Sequence, residues 1–364
     1  MKEKMASNLM TFSGVSAKLA AMSRDLLKKE DYEALMMETS VSGVAIYLQK
    51  TPMYSEALNG IEIEQLHRRD IEIILKADYI KDIEKFITFM VTLDKSIVKS
   101  LFMRHEIENL KLAIRNALIE VEAKKTVQYL KSKFYDLGNR ALIDPIKVAL
   151  SSGREEILSN LEDSPYYGVI RNVFVSHREP DMNVIGVIEN ALDKWFLPKF
   201  LESMKKMGPK NYIIGKRMIG QRVDLINLEW IVRVKKFYAL RPEEIYNSII
   251  PVYFRLNTEY LRQLCEARNV KECLNMIMEG PYGEDFEGLS DDNELPHRIT
   301  ERVRRLLYRE AKRSLLVFGS FSIASFFHYF YLKEYEIMDI ISIIEGVRYK
   351  IKPDEIKNYL IRTF

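Results

Sequence analysis

Three carboxylates, Glu106, Asp224 and Glu336, each head a matching motif: Glu106-Ile107-Glu108-Asn109-Leu110, Asp224-Leu225-Ile226-Asn227-Leu228 and Glu336-Ile337-Met338-Asp339-Ile340. Paired carboxylates can act as general acid and base, but both must flank one bond, within about 5–10 Å of each other. Here each acid stands alone in its motif, and the motifs are 118 and 112 residues apart. Two readings stay open: a polar contact that holds each copy together, or the lining of a central opening. The histidines, His67, His105, His177, His297 and His328, form no HExxH pair and adjoin no candidate nucleophile, so they read as surface or satisfied core imidazoles. Cys265 and Cys273 make no CxxC pair, and no Cys/His cluster has metal-site spacing, which reads as a reduced, cytosolic chain. Gly208 to Arg217, GPKNYIIGKR, has six residues between its glycines where a phosphate loop has four, and Arg217 stands where a magnesium-binding Ser or Thr belongs. It reads as a turn between helices. No nucleophile, base and electrophile come together, so no enzyme is expected and no catalytic, cofactor or metal residue is assigned.

The elements that carry these motifs repeat with them. A second mark precedes each acid: Pro52-Met53-Tyr54, Pro165-Tyr166-Tyr167 and Pro281-Tyr282. The prolines are 113 and 116 residues apart, and each lies 54, 59 or 55 residues before its acid. A period near 115 exceeds the roughly 20–50 residues of a solenoid repeat. It predicts three copies of a small domain, 1–140, 141–255 and 256–364, related by a pseudo-three-fold axis. The pattern is helical. Ile107, Leu110 and Ile114, matched by Leu225, Leu228 and Val232 and by Ile337, Ile340 and Ile344, lie three and four apart and form one apolar stripe per copy. Residues 70–90, 184–206 and 298–317 read as further amphipathic helices, and no stretch alternates as a strand would. Pro242 and Pro353 each open an acid-led helix, with no clear partner in the first copy. The fold class expected is all-α.

Leu315 to Leu332 contains no Asp, Glu, Lys or Arg. It is at the short end for a membrane span and carries three serines and a histidine, so a buried helix with Phe326, Phe327 and Phe330 inside is expected. The start, MKEKMASNLMTFSG, lacks the apolar core of a secretory signal. With 55 basic and 52 acidic residues the formal charge is +3, too balanced for a general polyanion binder. The basic run Arg298, Arg302, Arg304, Arg305, Arg309, Lys312 and Arg313 follows an acidic stretch; it is either neutralised by it or a docking surface for an acidic partner. Aromatic interleaving suited to nucleic acid is absent. Off the apolar stripes lie Lys111, Arg115, Glu229, Arg233, Glu345 and Arg348, expected to face solvent and to be candidates for binding a partner.

Tyr331-Leu332-Lys333-Glu334-Tyr335-Glu336-Ile337-Met338-Asp339-Ile340 resembles the YLLAKE-x-E-I-x-N-L helix of the C subunit of bacterial and archaeal V-type (A-type) ATP synthases, the counterpart of the d subunit in vacuolar ATPases. His105 to Lys111 matches its E-x-x-N-L-K version, and Asp31 to Leu35 and Tyr47 to Tyr54 resemble the family's N-terminal pattern. The sequence departs from it at Asp339, which replaces Asn, and at Ser42 to Ala45, which lacks the usual acid. The resemblance implies three pseudo-three-fold-related helical domains in a funnel-like body. It implies a non-catalytic rotor subunit that joins the central stalk to the membrane ring of c/K-type proteolipids, for ATP-coupled proton or sodium transport. Such a chain would be peripheral, on the cytoplasmic side, with no cofactor, no nucleic acid and no span of its own. The alternative is a stand-alone helical-repeat scaffold for protein–protein interaction.

Overall fold

Three long helices carry the acid motifs: Lys95–Ile119, Pro209–Phe237 and Ala324–Arg348, the first, second and third signature helices. They belong to an all-helical chain in this computed structural model, which describes residues 2–89, 95–119, 126–177, 184–238 and 240–362, with no strand among them. The apolar stripes form the core as their spacing predicts. Ile107, Leu110 and Ile114, Leu225, Leu228 and Val232, and Ile337, Ile340 and Ile344 are all buried. Each such side chain withdrawn from water contributes about 1.5–3 kcal/mol.

A second long helix precedes each signature helix: Arg68–Phe89, Val184–Ser203 and Leu295–Phe318, close to the predicted spans. Two of the connections turn on a glycine with positive φ, Gly208 at 91° and Gly319 at 75°. Side chains rarely adopt that conformation, which is why glycine ends these turns. Gly208 is thus the turn residue before Pro209, which opens its helix at the first position where a missing N–H costs nothing. Gly319 corrects one expectation. Leu315 to Leu332 is not one buried helix but the end of one helix, a turn at 319–323 and the start of the next. Phe326, Phe327 and Phe330 are buried as expected, while Leu316 is 88% exposed at the turn. No helix among the described residues is long and apolar enough to cross a membrane.

A short helix follows each signature helix. Pro242–Ser248 and Pro353–Ile356 begin at their prolines. At the same place in the first copy stands Val127–Lys133, started by the Thr126 side chain accepting from the Tyr129 N–H rather than by a proline. That exchange of one start signal for another hides it in the sequence. The chain forms two compact units: Met1–Val98 with Val121–Ala141 and Glu310–Phe364, and Lys99–Glu120 with Leu142–Arg309. The first unit holds both ends of the chain. In it the third signature helix packs against helices Lys2–Asp25, Lys29–Met37, Val41–Lys50 and Arg68–Phe89.

Candidate functional site

The two repeated marks meet in space. Tyr166 donates its hydroxyl to Glu106 at 2.6 Å, Tyr282 to Asp224 at 2.9 Å and Tyr54 to Glu336 at 2.8 Å. All three tyrosines and all three acids are buried. The pairing is shifted by one copy. Each acid takes the tyrosine of the following copy, and the third acid takes the tyrosine of the first. Sequence spacing alone places proline and acid in one copy, because it orders marks along the chain and carries no pairing.

Each acid also receives backbone N–H groups from the segment that leads into a short helix. Glu106 accepts from Leu142 and, at 3.2 Å, from Ile143. Asp224 accepts from Phe254 at 3.2 Å, Arg255 at 2.7 Å and Leu256 at 3.2 Å. Glu336 accepts from Leu27 at 2.8 Å. Leu27, Ile143 and Leu256 directly precede the caps of the next short helices, Lys28, Asp144 and Asn257. Each acid therefore holds the segment that leads into a short helix, Lys29–Met37, Pro145–Ala149 or Thr258–Glu266. Hydrogen bonds to a charged acceptor are short and contribute about 1.5–3 kcal/mol each, so these joints are stiff. Burial pushes all three carboxyls up, Glu336 to about 7, while the tyrosine and backbone donors pull them back.

Buried, and with both oxygens of each engaged by the chain, the acids present nothing to a substrate. The polar-contact reading holds, between successive copies rather than within one, and the central-opening reading is set aside for these three residues. The fourth motif position ties down the chain that follows. Asn227 donates to the Ile250 carbonyl and accepts from its N–H at 3.0 Å. Asp339, the departure from Asn, accepts from Ile361 at 2.7 Å and Arg362 at 3.1 Å, a task for two acceptor oxygens and no donor.

One charged cluster lies outside the repeated marks. Lys333 is fully buried, with Asp78 at 2.6 Å and Asp82 as its partners. Tyr329 donates to Asp82 as well. A cavity of about 140 Å³ lined by Lys18, Met22, Asp78, Asp82, Tyr329 and Lys333 opens beside it. Its signal in the sequence is one of register. Asp78 and Asp82 continue the buried Ile71 and Leu75 face at intervals of three and four, and Lys333 stands one turn before Ile337 on its stripe. Charges on opposing core faces imply one another, since an unpaired buried charge is prohibitively costly.

The six charged candidates do not share one environment. Lys111 bonds Asp193 at 2.6 Å and is 14% exposed, and Asp193 and Glu108 hold it protonated above the ordinary lysine range despite burial. Arg115, half exposed, pairs with Glu189. Glu229 bonds Thr300 and, at 3.2 Å, Arg233. Glu345 pairs with Arg68 at 2.7 Å and Arg348 at 3.5 Å. Only Arg115 and Arg348 are well exposed; the expectation of six solvent-facing side chains fails because one or two residues off a stripe still reaches a neighbouring element. Lys111→Glu should therefore lower stability by roughly 2–3 kcal/mol, below the 3–5 of a fully buried pair. Arg115→Glu should stay within about 1 kcal/mol. Thermal unfolding of the two variants checks the contrast. Two residues of the basic run are met by the preceding acidic stretch, Arg298 by Asp292 and Arg309 by Asp285, and Arg305 is met by Glu301 on its own helix. His105 and His328 are pushed down by burial and stay neutral, and no group of described residues could hold a metal ion.

The model of the family described as "ATP synthase (C/AC39) subunit" matches residues 15–359. The chain is similar to the A-type ATP synthase C subunit of Methanosarcina mazei, 20% identical over 360 residues, 99% of this chain and 94% of that protein. It is similar to the Pyrococcus horikoshii protein of that name, 22% identical over 96% of this chain and 90% of the other. For the Methanocaldococcus jannaschii protein of that name the match is 24% identical and spans 73% of this chain and 65% of the relative, just under two thirds of its length. A match across nearly the whole chain, joined to an all-helical build and repeated acid–tyrosine joints, places the molecule: the chain belongs to the ATP synthase (C/AC39) subunit family, whose members are non-catalytic subunits of rotary ATPases.

Proposed function

We propose that this chain is the rotor adaptor of a V/A-type ATPase, joining the central stalk to the membrane rotor ring and transmitting torque between them. The observation that carries the reading is the family match over residues 15–359. The joints support it. A torque-bearing part must not shear between its copies, and each copy here is fastened to the next by a buried carboxylate on a long helix. On this reading the three copies, 1–140, 141–255 and 256–364, stand about a pseudo-three-fold axis in a funnel-like body. The protein sits peripherally on the cytoplasmic side, with central-stalk proteins and the c/K-type proteolipid ring as partners. Of the six charged candidates, Arg115 and Arg348 are exposed enough to meet the stalk and Arg233 is partly so; Lys111, Glu229 and Glu345 serve mainly to hold the chain.

Stalk titration at two salt concentrations tests the surface. An Arg115→Glu/Arg233→Glu/Arg348→Glu variant should bind the stalk several-fold more weakly and with a shallower salt dependence, since exposed pairs contribute about 0–1 kcal/mol each. Equal affinity and an equal salt slope would remove these arginines from the interface.

A further inference from the structure

We propose that the Glu336 joint is a proton-operated clasp that fastens the end of the chain to its beginning. The other two joints tie segments that the backbone already connects over a short distance, 36 residues from Glu106 to Leu142 and 30 from Asp224 to Phe254. Glu336 and Leu27 are 309 residues apart, so no short stretch of backbone backs up this joint. Its other fastenings lie around it. The Arg362 guanidinium donates to the Leu27 carbonyl and covers the Tyr32 ring at 5.0 Å. Lys333, one turn earlier on the same helix, is held by Asp78 and Asp82 on Arg68–Phe89, with Tyr329 on Asp82. Further along, Asp339 holds the Ile361 and Arg362 N–H groups, and Glu345 pairs with Arg68.

The three joints differ in how well they solvate their charge. Asp224 has three backbone donors, Glu106 two and Glu336 one, each with a tyrosine hydroxyl besides. Both bonds of Glu336 survive protonation. Its acid form can donate to the Tyr54 oxygen while the other carboxyl oxygen still accepts from Leu27, and the cost of burying a charge disappears. Tyr54, Lys333 and Arg362 face it and favour its charged form, Tyr329 lies within its electrostatic reach, and burial outweighs their help. The closed joint therefore holds its proton up to about pH 7, against an ordinary value of 4.5 once water enters. The sign follows. Between those values the closed form carries a proton the open form lacks, so closure is strongest in mild acid and weakens as pH rises through the window.

Hydrogen exchange of the full chain between pH 5 and 8, corrected for the intrinsic pH dependence of exchange, reads the clasp. In segments 27–37 and 353–362 the opening equilibrium should rise with pH, on the order of tenfold per unit at most, and level off above about 7. Glu336→Gln, which cannot ionise, should flatten that rise and leave segment 254–266 at the Asp224 joint unchanged. A flat wild-type profile, or a Glu336→Gln profile that still rises, overturns the proposal. If Glu336→Gln does not fold, Tyr54→Phe decides: loss of a donor to the ionised form must move the window to higher pH, and an unmoved window overturns it.

Discussion

Lys333→Met is expected to lower the stability of the unit that holds both chain ends by about 3–5 kcal/mol, the cost of leaving buried carboxylates without their cation. The side chain is fully buried between Asp78 and Asp82, so its loss takes the cation from Asp78 and leaves Asp82 only the part-exposed Lys85 at 3.4 Å. Tyr329 satisfies only one oxygen of Asp82. Replacing Asp78, Asp82 and Lys333 together by apolar side chains of similar size should recover most of the loss, because no charge then remains to desolvate. A chain of two compact units need not unfold in one step, so the measurement is hydrogen exchange of helix Ala324–Arg348 alongside the thermal transition. A triple variant as unstable as Lys333→Met would contradict a purely electrostatic cost.

The second large effect falls on Asp224. Asp224→Ala removes the shared acceptor of three backbone N–H groups and the Tyr282 hydroxyl. Each buried donor left unmatched costs about 1–3 kcal/mol; water reaches the part-buried Phe254 and Arg255 amides, so the sum should be roughly 3–5 kcal/mol rather than the full total. Tyr282→Phe should cost only about 1.5–3 kcal/mol, one hydrogen bond to a charged group. In the Asp224→Ala background that same change should add little, which a double-mutant cycle by chemical denaturation measures. Additive losses would show that Tyr282 acts through packing and not through the acid.

The sequence shows the large plan because that plan is periodic. Ile107, Leu225 and Ile337 announce the same helix three times, and the stripe they belong to is buried each time. It also shows the residues of the joints, Tyr54, Tyr166 and Tyr282 with Glu336, Glu106 and Asp224. Their partnership stays hidden, since spacing along the chain is equally regular within a copy and across the boundary to the next. Lys333 is hidden differently. A lysine followed by Glu334 reads as a solvated break until the opposing aspartates are set in register. The turn at Gly319 is lost inside an unbroken apolar run, where composition suggests continuity and a positive φ decides otherwise. The first copy's short helix escapes because Thr126 does the work of a proline.

Native mass spectrometry of the ATPase complex, purified in mild detergent through a tag on this chain, tests the adaptor role most directly. The account predicts one copy of the chain bound at once to the stalk proteins and to the proteolipid ring, and separation of stalk from ring when the chain is released. A stalk that stays on the ring without this chain, or a chain recovered free of both, would contradict it.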